Sequence, residues 1–150
     1  MGRARIRWLD RYYLAILLFF KVLLHNRDFY FLTLLPCPFF TNGAAATIGI
    51  TEYAAKALGD VVFVELPTVD TEVGMGDTIG AVESVKSASD IMSPVTGKIL
   101  EANGALEEKP KLINEGPEAH GWVAKIRIAD HTELEQLMDE ASYKASLEEE

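Results

Sequence analysis

The sequence predicts a mainly β protein: a sandwich or flattened barrel with short helices at its periphery. Three observations carry that reading. The apolar runs are of strand length. Gly, Pro and Asn-Gly signals punctuate them at short intervals. Residues 122–128 alternate strictly, which puts Trp122, Ala124, Ile126 and Ile128 on one face.

Taken in order, Asn42-Gly43 is a tight-turn dipeptide and residues 46–50 read as a strand. Thr51 is a good N-cap with Glu52 in the first turn. Ala54, Ala55, Lys56, Ala57 and Leu58 are helix formers, and Gly59 ends the helix. Residues 61–66, Val-Val-Phe-Val-Glu-Leu, read as a buried strand closed by Pro67. Residues 78–84 run as a strand toward a hairpin, from which residues 90–92 return. Residues 97–102 form the next strand. Asn103 is the expected cap of a short helix over 104–108, stopped before Pro110. The Gly116-Pro117 turn leads into the alternating strand. Asp130 with Glu133 fits a capping box for a helix over 132–138, and Asp139 starts a last helix that frays into Glu148, Glu149 and Glu150.

Charge divides the chain. Residues 1–40 hold six basic and two acidic side chains, a net of +4, which leaves −13 on residues 41–150 of a chain whose total is −9. The acidic part opposes nucleic-acid binding, because a phosphate backbone is met by Lys and Arg. It suits a carrier that docks briefly on several partners. The single cysteine, Cys37, rules out an internal disulfide, and His25, His120 and His131 lack metal-ligand spacing. No nucleophile–base constellation stands out, so the chain reads as a substrate for enzymes. Tyr53, Tyr143 and Trp122 read as packing residues.

Residues 1–42 form a hydrophobic, basic leader of different character. Residues 12–24 are too short for a membrane span and are interrupted by Lys21. Residues 29–40 are broken by Pro36 and Pro38. Three readings stand together: a targeting segment, with Arg3, Arg5, Arg7 and Arg11 suiting a transit peptide; a misassigned start; or a structural element. The expectation is that residues 1–40 do not fold with the acidic domain. The rival is that residues 29–35 pair as a surrogate strand beside residues 46–50, covering an open sheet edge.

Lys86 lies in Glu83-Ser84-Val85-Lys86-Ser87-Ala88-Ser89-Asp90, between two segments of strand character. A lysine at a rigid hairpin tip, flanked by small residues, is accessible without being flexible. An enzyme that must modify one lysine and ignore the others needs that. Asp90 is expected to cap the turn.

The stretch GAVESVKSASDIMSPVTG, residues 80–97, resembles the lipoyl-attachment region of the glycine cleavage system H protein family. ATIGITEYAAKALGDVVFVELP and EANGALEEKPKLINEGPEAHGWVAKIRI agree with it, so the resemblance covers residues 43–150. Biotin carriers place their lysine between methionines, unlike Val85 and Ser87. Acyltransferase lipoyl domains carry Asp-Lys-Ala, which is absent. So is the His-Glu-Trp strand pair with which the family opens.

The resemblance implies a lipoyl-type β-sandwich and lipoic acid in amide linkage to Lys86. Glu83 and Gly97 match positions used in recognition by the lipoate-attaching enzyme. It implies a carrier that takes the aminomethyl group of glycine from the P protein (glycine decarboxylase) to the T protein (aminomethyltransferase). Electrons pass to the L protein (dihydrolipoamide dehydrogenase). It implies no nucleic-acid partner and no membrane role. The expected location is the mitochondrial matrix in a eukaryote and the cytoplasm in a bacterium. Two alternatives stay open: a lipoate donor or scaffold for other enzymes, and a decayed copy that never carries lipoate. Gly97 also has a purely structural reading, a close backbone approach at a strand start.

Overall fold

Alternating side chains and tight turns resolve into two antiparallel sheets. The computed structural model describes residues 20–23, 29–34, 45–138, 141–143 and 145. The strands are β1 Phe20–Leu23, β2 Phe29–Leu34, β3 Ala45–Ile50, β4 Val61–Glu65, β5 Glu72–Val73, β6 Thr78–Ser84, β7 Ala88–Met92, β8 Gly97–Ala102 and β9 Ala124–Ile128. One sheet runs β1-β2-β3-β9-β8-β5 and the other β4-β6-β7. The sheets face each other without closing, so the architecture is the expected sandwich and not a barrel. Ile48, Ile99 and Ile126 from the larger sheet meet Val64, Val82 and Ile91 from the smaller one, all at 2% exposure or less. Each such side chain contributes about 1.5–3 kcal/mol by leaving water.

Short helices cover the edges: α1 Glu52–Leu58, α2 Ala105–Glu108 and α3 Leu112–Glu115. Helix α1 is built as its sequence predicts. Thr51 Oγ1 accepts from the Ala54 N–H, and Gly59 closes the helix at φ 76°. The same Thr51 hydroxyl bonds to the Tyr143 phenol at 2.9 Å. Tyr143, in the helical residues 141–143, is buried and ties the C-terminal segment to the start of α1. Burial raises its pKa above 10.0, and the hydrogen bond from Thr51 offsets part of that.

Several expectations change. The pairing of Phe29–Leu34 with β3, Tyr30 opposite Ile50 and Leu34 opposite Ala46, is the surrogate-strand alternative. It corrects the expectation that residues 1–40 stay apart from the sheet. Strand β4 is buried on one face only, through Val61 and Val64. A bulge between Val61 and Phe63 adds Val62 to the strand, and Val62 and Phe63 stand in solvent at 53% and 51% exposure. An apolar run cannot reveal that nothing packs on a strand's second face. Asn103 does not cap α2. Its amide donates instead to the His120 and Trp122 carbonyls at 3.0 and 2.8 Å, holding the loop before β9. Trp122 precedes β9 and is half-buried, with Lys125 Nζ 4.7 Å from its ring centroid.

The Asp130 box closes on one side. Asp130 accepts from the Thr132 N–H and hydroxyl, which lower its pKa, but Glu133 turns to the Thr96 N–H and hydroxyl. The segment is a 3-10 turn over His131–Gln136 in place of a longer α-helix. Strand β5 and helix α3, too short for a pattern to show, were not anticipated. Asn42-Gly43, Asp139, the three terminal glutamates, His25 and most of the leader lie outside the described residues. Among the described residues, no helix is long and apolar enough to cross a membrane.

Candidate functional site

Strands β6 and β7 pair from Thr78 opposite Met92 up to Glu83 opposite Ala88. Val85, Lys86 and Ser87 are left as the loop, all exposed. Ser84 fastens this loop. Its hydroxyl accepts from the Lys86 and Ser87 N–H groups, each at 3.1 Å, and donates to the Ser87 carbonyl at 3.2 Å. The Ser84 N–H reaches the same carbonyl at 2.8 Å. Serine at the first position of a turn does this because its short side chain reaches backbone two and three residues on. Asp90, expected to cap the turn, lies within β7 opposite Ala81.

A second anchor comes from outside the hairpin. The Val85 N–H donates to the Asp60 carbonyl at 3.0 Å. Segment 59–61 is itself held by Asn114 of α3, which accepts from the Val61 N–H at 2.9 Å and donates to the Gly59 carbonyl at 2.7 Å. Gly59, at φ 76° and ψ −155°, occupies a region essentially reserved for glycine. A Cβ there would lie 3.2 Å from Lys86 Cε, so the lysine stem runs directly over it. The backbone of Lys86 is thus fixed from two sides while its side chain stays in solvent. Among the described residues Lys56, Lys98, Lys109 and Lys125 are paired with carboxylates, whereas none of the described carboxylates lies within 4.0 Å of the amine of Lys86 or of Lys111.

The other two sequence-selected residues part company. Glu83 is exposed on β6, opposite Ala88 on one side and Phe63 on the other, immediately below the loop. Gly97 is buried at the start of β8. The chain runs the five residues of β7 away from the tip, about 3.3 Å each, before reaching it. Its neighbours are a cleft of about 530 Å³ lined by Glu72, Lys98 and Arg127. A Cβ on Gly97 would run into the Arg127 carbonyl and sit 2.9 Å from Ile126 Cγ1. Tight packing therefore accounts for glycine here. His120 and His131 are exposed.

Three contributors were missed from sequence: Ser84, the Asp60 carbonyl and Asn114. Ser84 carried a turn signal. Asn114 carried none, since its partners are more than fifty residues away.

The family model described as glycine cleavage H-protein matches residues 39–150. The chain belongs to the glycine cleavage H-protein family. That is a family of lipoyl carriers, a carrier component of the glycine cleavage system. The chain is 57% identical over 104 residues to the glycine cleavage system H protein of Phenylobacterium zucineum, spanning 69% of this chain and 86% of that one. It is 53% identical over 110 residues to the H protein of Vibrio campbellii, spanning 73% and 87%. The crystal structure of a glycine cleavage system H protein from Mycobacterium marinum superposes with a TM-score of 0.67 at 29% identity, covering 84% of this chain and 94% of that one. These relatives are bacterial.

Proposed function

We propose that this H-protein family member is lipoylated on Lys86. As a carrier it takes the aminomethyl group of glycine from the P protein to the T protein, and electrons to the L protein. The observation that supports this is the fixed backbone and free side chain at the tip of the β6–β7 hairpin. The residues present fit a lipoyl group: the lysine is accessible, Ser87 and Ala88 beside it are small and exposed, and no carboxylate occupies its amine.

For attachment, Lys86 Nζ gives up a proton and bonds to the carboxyl carbon of a lipoyl donor activated by the attaching enzyme, whose leaving group departs. Bound there, the group would supply a reversible disulfide–dithiol pair. Ser84 and the Asp60 carbonyl hold the base of the arm. Lysine and lipoyl together reach on the order of 14 Å, so the cargo can enter another protein's cleft while the sandwich stays outside. Glu83 is proposed to be read directly by the attaching enzyme. Gly97 is proposed to act through the fold, keeping β8 against β9. The workplace is the cytoplasm in a bacterium and the mitochondrial matrix in a eukaryote.

Residues 1–42 are proposed as a leader distinct from the carrier domain 43–150. The family match begins at residue 39, and the charge changes sign nearby. Strands β1 and β2 sit at the outer end of their sheet, where trimming leaves β3-β9-β8-β5 in place. Limited proteolysis near residue 42 tests this: a stable 43–150 core would show that β1 and β2, although paired onto β3, are dispensable to the carrier domain.

Intact and peptide mass spectrometry after treatment with lipoate and a lipoate ligase tests the main reading. One adduct on Lys86 is expected. An adduct surviving in Lys86→Arg would refute it. Reconstitution with P, T and L proteins tests carriage. Glu83→Ala should slow attachment while changing stability by only about 0.5 kcal/mol.

A further inference from the structure

The β4 bulge has a consequence for recognition. A regular strand would send one of Val62 and Phe63 inward. The additional residue brings both to the solvent side, and Val85 at the loop is 67% exposed beside them. Because Val61 pairs with Ser84 and Phe63 with Glu83, these apolar groups lie opposite the residues two and three positions before Lys86. Large apolar groups clustered in solvent mark an interaction site more often than a packing accident.

Their surroundings are acidic. Cross-strand partners share a face, so the row Phe63, Glu83, Ala88 and the next outward row Glu65, Ala81, Asp90 line the outer side of the small sheet. Strands β4, β6 and β7 contain no Lys or Arg. Asp60, exposed before β4, continues the acidic frame.

We propose that this outer face of β4-β6-β7 is where the lipoate-attaching enzyme docks, meeting Val62, Phe63 and Val85 with an apolar recess rimmed by Lys and Arg. The proposal rests on Lys86 being the attachment lysine. Reach selects this occupant. An unmodified lysine extends only about 6 Å from its Cα. The enzyme that acylates it must therefore come down onto the loop itself. A specific interface buries roughly 800 Å² on each side, far more than a three-residue loop offers. It must spread onto adjoining surface. The inner face of the small sheet packs in the core, so within this sheet the outer face is the one open to it. Enzymes that meet the loaded carrier work across the longer arm and are not forced onto it.

The test is steady-state lipoylation of the full chain by an ATP-dependent lipoate ligase, comparing wild type with Val62→Thr, Phe63→Ser, the double variant and Phe63→Leu. The double variant should raise KM at least tenfold with kcat within twofold and no loss in Tm, because both side chains are already in solvent. Phe63→Leu should recover most of the loss. Raising salt from 50 to 300 mM should raise the wild-type KM. An unchanged KM in the double variant, on a wild type that is modified at Lys86, overturns the docking surface alone. So does a defect confined to later assays with P or T protein, or a change of oligomeric state with normal attachment. A wild type not modified at Lys86 overturns the underlying reading as well.

Discussion

Asn114→Ala should loosen the lysine hairpin from a distance. The asparagine makes two hydrogen bonds to segment 59–61, at 2.9 Å from the Val61 N–H and 2.7 Å to the Gly59 carbonyl. Alanine removes both. The Gly59 carbonyl lies beside an exposed side chain, where water replaces the lost donor at small cost. Val61 is 1% exposed, so its N–H loses its partner in a site water reaches poorly. A buried donor left unpaired costs about 1–3 kcal/mol. The expected loss is about 2 kcal/mol, a fall of roughly 5–10 °C in Tm for a domain of this size. Asn114→Asp should do no better, because it keeps the acceptor for Val61 but sets a carboxylate oxygen against the Gly59 carbonyl. The distinguishing readout is local. The Asp60 carbonyl holds the Val85 N–H, so amide exchange at Val85 should speed up more than exchange at the core residue Ile126. A loss under about 0.5 kcal/mol, or Val85 exchange that merely tracks global unfolding, would refute the coupling between α3 and the hairpin.

Gly97→Val should abolish or severely weaken folding, since its side chain has no room beside Arg127 and Ile126; circular dichroism with normal melting would return Gly97 to a direct role in recognition. Gly59→Ala should cost about 1–3 kcal/mol, measured by urea unfolding, from the forced backbone region at φ 76° together with pressure on the Lys86 stem. The Tyr143 pKa is raised in the fold, so its contribution to stability is complete below 10.0 and is lost as the pH climbs from there through the higher folded value. Melting curves between pH 8 and 11.5 should show that decline, and Tyr143→Phe should flatten it. Amide protection of β2 matching that of Val64 would verify the strand pairing on β3, and free exchange there would refute it.

Much of the fold was legible because its signals are local. Thr51 and Gly59 bracket α1 by cap chemistry that needs no tertiary information. Residues 78–84 and 97–102 alternate, and both strands appear with those bounds. The lysine loop was visible as a position between two strands. The sequence offers no mechanism for its rigidity and points to Asp90 for the turn, which Ser84 holds. The Asp130 box misled because Glu133 found a stronger use on Thr96, thirty-seven residues away. Asn103 misled in the same way, its amide drawn to the loop before β9.

The sequence by itself determined the sandwich class and placed Lys86 between two strands, because turn chemistry, caps and a period of two act between neighbours a few residues apart; the family came from the resemblance of residues 43–150. Tertiary structure alone decided three things. It decided which face of β4 would be left in solvent, because that depends on whether anything packs above a strand. It decided that Gly97 is a packing contact against Arg127, because the clash involves another strand. And it decided that Asn114 and Asp60 brace the hairpin, because a hydrogen bond between distant segments exists only once the chain has brought them together.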